Sequence, residues 1–132
     1  MANTFHCSVV TPERAVLETD ATLVVFPAWD GEVGIMRGRA PLLTRMGIGL
    51  LRVKAEGGET LALYVDGGFA QMVDDKLTIL TEQAKDPADL DPEEAQRLLA
   101  EAREMKATDP RAFQLRQAAL ERARVQRRLT SQ

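Results

Sequence analysis

All nine glycines of this 132-residue chain lie at or before Gly68, and none follows. Glycine serves tight turns and strand crossings and is costly inside helices, so its distribution divides the chain into two kinds of structure. The β-branched residues agree. Val, Ile and Thr supply 20 of residues 1–85 but only three of residues 86–132. Five of the six aromatics also fall in the first part, Phe113 being the exception. The break lies near Asp86–Pro87, which predicts a β-rich domain over 1–86 and a helical domain over 87–132.

Charge divides along similar lines. Residues 1–85 carry a net −3, residues 86–109 a net −5, and residues 111–132 a net +5. The total of −3 therefore hides an acidic segment followed by a basic one. With 45% hydrophobic residues, the composition excludes a collagen-like or disordered chain. The lone Cys7 excludes an internal disulfide. The start, Met1-Ala2-Asn3-Thr4-Phe5, has no basic segment leading into an apolar run, so no signal peptide is expected. The longest apolar run, Leu23 to Trp29, is seven residues, whereas a membrane-spanning helix needs about 20. No direct membrane insertion is expected.

From Thr4 to Thr81, short β-branched runs alternate with turn residues, the pattern of an antiparallel sandwich or barrel. The runs are Thr4–Val10, Arg14–Thr19, Thr22–Pro27, Ile35, Leu42–Arg45, Gly49–Ala55, Thr60–Val65, Gly68–Val73 and Lys76–Leu80. Gly57-Gly58 and Asp66-Gly67 suit two-residue hairpin turns, and Asp74-Asp75 suggests a third. The stretch from Asp30 to Leu43 holds three glycines and two arginines and reads as a loop between strands. Its G-x-x-G-x-x-x-G spacing is neither a Walker A nor a dinucleotide fingerprint, so a phosphate cradle is not expected. A loop on a rigid scaffold is nonetheless where binding concentrates.

The second part reads as two capped helices. Asp91-Pro92-Glu93-Glu94 combines an N-cap acceptor, a proline suited to the first helical position, and acidic groups at the positive helix end. Glu94 stands three residues after Asp91, as in a capping box. This helix is predicted to reach about Lys106. Thr108-Asp109-Pro110 repeats the signal for a second helix, Arg111 to about Arg128. Each would span roughly 23–27 Å at about 1.5 Å per residue, and the short connection favours an antiparallel hairpin. Its large apolar residues are few: Leu98, Leu99, Met105, Phe113, Leu115, Leu120, Val125 and Leu129. Glu101 or Glu104 across from Arg116 or Arg122 would add a little, since exposed ion pairs contribute only about 0–1 kcal/mol. A weakly held helix pair on a firm scaffold suits a switch.

Catalytic groups are scarce. His6 is the only histidine, so a histidine-based metal cluster is not expected. In an extended strand His6 and Cys7 point to opposite faces, which argues against a Cys-His pair. Asp74-Asp75 and Glu93-Glu94 already serve as a turn and a helix start. Arg122, Arg124, Arg127 and Arg128 would suit a phosphate backbone, but no aromatics are interleaved and an acidic helix lies next door. No metal, no cofactor and no nucleic acid are expected.

Several segments are familiar. Gly31-Glu32-Val33-Gly34-Ile35-Met36-Arg37-Gly38-Arg39-Ala40-Pro41-Leu42-Leu43 resembles a G-E-L-G-I-x-P-G-H-A-P-L-L signature. The opening Phe5-His6-Cys7-Ser8-Val9-Val10-Thr11-Pro12 resembles an H-x-x-V-V-[ST]-P start. Tyr64-Val65-Asp66-Gly67-Gly68-Phe69 and Leu77-Thr78-Ile79-Leu80 resemble Y-[LV]-[SD]-G-G-[FI] and V-T-[IV]-L strands. Together they resemble the epsilon subunit of the bacterial and chloroplast F-type (rotary) ATP synthase.

The resemblance implies an N-terminal β-sandwich of about ten strands and a C-terminal antiparallel two-helix hairpin. It implies a non-catalytic rotor subunit in the central stalk, coupling the gamma subunit to the c-ring. The complex would hold it peripherally at the cytoplasmic face of the inner membrane. Glu32, Val33 and Gly34 would face the c-ring, and Arg39, Ala40, Pro41 and Leu42 would lie towards gamma. The hairpin would extend along gamma and hinder ATP hydrolysis, with Arg122, Arg124, Arg127 and Arg128 meeting acidic groups of the alpha/beta catalytic head.

Two departures stand out. Arg37 and Arg39 replace the signature's Pro and His. Some members bind ATP through an [IL]-D-x-x-R-A motif. Leu90, Asp91 and Ala95 match it, but Glu94 stands at the arginine, and a carboxylate there repels phosphate. Weak or absent ATP binding is expected. The alternatives are a sandwich-plus-hairpin adaptor of another complex and a weak nucleic-acid binder acting through residues 111–128.

Overall fold

A computed structural model describes residues 3–130 and divides into two compact units, one up to Lys85 and one from Asp86 onward. The first unit holds nine strands: β1 (Phe5–Val10), β2 (Ala15–Ala28), β3 (Gly31–Ile35), β4 (Leu42–Arg45), β5 (Ile48–Ala55), β6 (Thr60–Asp66), β7 (Phe69–Val73), β8 (Lys76–Leu80) and β9 (Ala84–Lys85). Their hydrogen-bonded order is β4-β7-β8-β1-β2-β5-β6-β9, with β3 added to β2. Strands β1 and β8 run parallel, and the other pairs are antiparallel.

The long strand β2 joins the two layers. Its residues Ala15–Ala21 pair with β1, while Val24–Ala28 pair with β3 and Ala21–Val25 with β5. The register shifts between Ala21 and Leu23, and such an irregularity lets a strand bend from one layer into the next. Alternate side chains of both layers meet in one core. Phe5, Cys7 and Val9 of β1, Met72 of β7, and Leu77 and Ile79 of β8 face Phe26, Ile35, Leu51 and Val53. Each large side chain so buried contributes about 1.5–3 kcal/mol.

The structure corrects several expectations. Arg14–Thr19 and Thr22–Pro27 are one strand, β2. The described residues hold nine strands, in keeping with the expected sandwich of about ten. Gly31–Ile35 is a strand rather than loop; among the described residues it pairs only with β2, and glycine is better tolerated at such an edge. The two-residue β9 carries no periodicity and was not foreseen.

Asp66-Gly67 is not a hairpin turn, because β6 pairs with β5 and β9 while β7 pairs with β4 and β8. The chain changes neighbours there through two left-handed glycines, Gly67 at φ +70° and Gly68 at φ +101°. The Asp74-Asp75 hairpin is present. Both aspartates are left-handed (φ +51° and +59°), as a twist-compatible two-residue turn requires.

In the second unit, a 3₁₀ turn (Pro87–Asp89) precedes α1 (Pro92–Glu104) and α2 (Pro110–Thr130). Asp91 caps α1 by accepting from the Glu93 N–H at 2.9 Å, and Asp109 accepts from the Ala112 N–H at 2.8 Å. The helices are unequal, 13 and 21 residues, or about 20 and 32 Å. The first ends at Glu104, short of Lys106, and the second runs past Arg128 to Thr130.

Their shared core is Leu99, Ala102, Leu120 and Ala123, flanked by Leu98 and Ala119. Met105, Phe113 and Leu115 stay exposed, so the pair holds even less apolar contact than its sequence suggests. Glu94 does not close a capping box, since its carboxylate pairs with Arg97 instead, and Arg97 also pairs with Glu101. Arg116 donates to the carbonyl of Arg103 at 3.4 Å rather than to Glu101 or Glu104, satisfying a backbone acceptor in the last turn of α1.

Candidate partner-binding surface

The β2–β3 hairpin turns at Trp29-Asp30. Beyond the turn, Glu32 is exposed, and both its oxygens accept from Arg52 Nη2 of β5 at 3.3 Å, across β2. Val33 points the other way, half-buried against the core, and Gly34 is exposed again. The trio expected to face the c-ring is thus split by strand alternation. Glu32 and Gly34 share a face, and Val33 supports it from behind.

The loop from Met36 to Pro41 is exposed throughout. Gly38 is left-handed (φ +83°), and the Arg39 N–H closes a turn onto the Met36 carbonyl at 3.2 Å. The Gly38 N–H donates to Asp75 Oδ1 at 2.9 Å, while Arg37 Nε lies 3.9 Å from Asp75 Oδ2. Arg39, Ala40 and Pro41 face solvent. Leu42 opens β4 half-buried, packed on the core. The first set therefore lies on β3, and the second on the loop that follows and the first residue of β4.

A third feature was not foreseen. Strand register places Arg45 opposite Phe69, Phe69 opposite Leu80, and Leu80 beside Val10, forming one row on the outer face of the β4-β7-β8-β1 layer. Phe69 is 52% exposed and Leu80 50%, with Leu43 nearby on the same face at 68%. Phe69, Leu80, Val10 and Pro12 line a shallow, mostly apolar depression. At the row's end the Arg45 guanidinium lies 5.8 Å from the centre of the exposed Trp29 ring, within cation–π range. The Trp29 N–H donates to the Arg45 carbonyl at 3.1 Å. The available signal was Leu80, an apolar residue out of phase with inward-facing Leu77 and Ile79.

The remaining candidates scatter. On α2, Arg124, Arg127 and Arg128 are exposed, whereas Arg122 is half-buried on another side of the helix. Of the nucleotide-motif positions, Leu90 and Ala95 are buried and Asp91 is the helix cap. Glu94 and then Glu101 hold the Arg97 guanidinium above its ordinary pKa, leaving it committed to two carboxylates. His6 Nδ1 lies 3.4 Å from Asp20 Oδ1 at the surface, while Cys7 is buried on the opposite face. Burial pushes the Cys7 thiol up to about 12, so it is neutral and unreactive near pH 7. Among the described residues, no group of three or more His, Cys, Asp or Glu is placed to hold a metal, and no helix is long and apolar enough to cross a membrane.

Residues 4–87 match the family model described as "ATP synthase, Delta/Epsilon chain, beta-sandwich domain". The ATP synthase epsilon chain of Rhodopirellula baltica is 46% identical over 123 residues, covering 93% of this chain and 95% of that one. The epsilon chain of a Synechococcus strain is 39% identical, covering 92% and 88%. The chloroplastic epsilon chain of Guillardia theta is 40% identical, covering 73% and 72%. Among solved structures, a chain of the Euglena gracilis mitochondrial ATP synthase shares the fold at a TM-score of 0.80, 23% identity and coverage of 92% and 78%. By these measures the chain belongs to the ATP synthase epsilon chain family.

Proposed function

We propose that the chain is a non-catalytic subunit of the ATP synthase central stalk, coupling the gamma subunit to the c-ring at the cytoplasmic face of the membrane. The observation that carries this reading is the row Arg45–Phe69–Leu80–Val10. It offers exposed apolar side chains on a rigid sheet, with an exposed basic loop elsewhere on the same unit. Aromatic and arginine residues on a firm scaffold are the groups that anchor protein interfaces. Gamma docks on this row and on Arg39–Leu42, while Glu32 and Gly34 meet the c-ring. The helical hairpin, with its short apolar seam and the exposed Arg124, Arg127 and Arg128, is the element that restrains ATP hydrolysis when it extends towards the alpha/beta head.

Reconstitution with gamma, the c-ring and the catalytic head tests both parts. Phe69→Glu places a charge in the row without disturbing the core. It is expected to abolish capture of gamma while the isolated chain keeps its fold. Removing residues 88–132 is expected to preserve assembly and raise ATP hydrolysis. Failure of the intact chain to bind gamma favours an adaptor for some other complex. Unchanged hydrolysis in the truncated enzyme removes the regulatory role.

A further inference from the structure

The exposed loop Met36–Pro41 has a left-handed glycine at its centre, yet it is tied to a hairpin far away in sequence. Asp75 holds it twice, accepting the Gly38 N–H at 2.9 Å through Oδ1 and facing Arg37 Nε at 3.9 Å through Oδ2. Asp75 is itself fixed. It occupies the second left-handed position of the β7–β8 turn, and its carbonyl accepts the His6 N–H of β1 at 3.0 Å. A carboxylate accepting a backbone N–H makes one of the stronger hydrogen bonds available at a surface. The adjoining Arg37 keeps that carboxylate oriented towards the loop. Asp74, beside it, shares the left-handed backbone (φ +51°) but not these two contacts.

The geometry points to Asp75 as the residue that positions the Met36–Pro41 loop for partner contact. The inference rests on the proposed rotor role only in naming gamma as that partner. Without Asp75 the Gly38 N–H faces solvent and Arg37 is released. The loop then samples many conformations, and docking must reorder it at an entropic cost.

Two glycine variants separate this role from the turn itself. Glycine accepts a left-handed backbone without strain, so Asp75→Gly and Asp74→Gly both keep the hairpin, and only the first removes the clamp. Trypsin cutting after Arg37 and Arg39 reads loop opening in the intact isolated chain. Asp75→Gly is expected to be cut about tenfold faster than wild type and Asp74→Gly. Asp75→Asn, which keeps an acceptor for Gly38 but loses the Arg37 ion pair, is expected to lie between wild type and Asp75→Gly. Binding to purified gamma is expected to weaken about tenfold in Asp75→Gly alone. Equal cutting of the two glycine variants overturns the clamp, and faster cutting with unchanged gamma affinity overturns its role in docking. Should wild type itself fail to bind gamma, the rotor role falls, while the cutting comparison still decides whether Asp75 orders the loop.

Discussion

A Cβ atom built on Gly68 would lie 1.8 Å from the carbonyl oxygen of Leu80 and 2.8 Å from its carbonyl carbon. Nothing flexible can yield there, because the obstacle is the backbone of β8. Gly68 also sits at φ +101°, a conformation L side chains rarely adopt. Gly68→Ala is therefore expected to cost about 3–5 kcal/mol, read as a lower urea midpoint of the sandwich. Gly67 shares the left-handed backbone but has open space around its Cβ position. Gly67→Ala is expected to cost only about 1–2 kcal/mol. Equal losses would mean that backbone handedness, rather than contact with Leu80, dominates.

Cys7 supplies a chemical reporter of the sandwich core. Its thiol is buried and pushed from 9.0 up to about 12 by burial, so at pH 8 the folded chain is expected to resist iodoacetamide and react only on unfolding. The linkage has a definite sign. The folded state holds the proton more tightly than the unfolded one, so stability falls as pH rises above about 9 and continues to fall towards about 12. The slope from this group approaches about 1.4 kcal/mol per pH unit within that window. Cys7→Ser would test the assignment by flattening the alkaline limb of the stability curve.

These residues mark what could be read from one dimension. The change of architecture near Asp86 was visible because glycine and β-branched residues are spent on turns and strands. The Asp74-Asp75 turn and the Asp91 cap were visible because they are local. Pairing was not. Asp66-Gly67 looks like any hairpin turn, and only the partners of β6 and β7 reveal a change of neighbours. Glu94 stands where a capping box wants it, yet Arg97 one turn later competes successfully for its carboxylate. The outer row and the Asp75 clamp join residues 11 to 70 positions apart, where no sequence period reports them.

The Asp91 cap gives a direct measure of how marginal the hairpin is. Its side chain accepts from the Glu93 N–H at 2.9 Å, and removing such a cap costs about 1 kcal/mol. The cluster of Leu99, Ala102, Leu120 and Ala123 has only two large side chains to offset that loss. Asp91→Ala is expected to lower helical ellipticity in the intact chain and speed amide exchange in α1, with exchange in β1 and β8 unchanged. A chain whose α1 exchange is unaffected would have its hairpin held by more than this cluster.

ATP is expected to leave the chain unaffected, and Glu94 is the reason. The first turn of α1 offers backbone N–H groups and a positive dipole end, which ordinarily attract phosphate. Here the Asp91 carboxylate already takes the Glu93 N–H. Glu93 and Glu94 add two more negative charges, and the nearby Arg97 is committed to Glu94 and Glu101. A triphosphate would have to displace an ion pair and approach three carboxylates. Binding with a Kd near 10 μM would stabilise the binding unit by about 2.7 kcal/mol at 1 mM ATP, an effect a melting curve of the isolated chain resolves easily. The expected shift is none, with or without magnesium. Glu94→Arg restores the motif's cation and frees Arg97 from one carboxylate, so a shift that appears only in this variant would assign the loss of binding to Glu94. A shift in the unmodified chain would show that the helix terminus outweighs its own acidic residues.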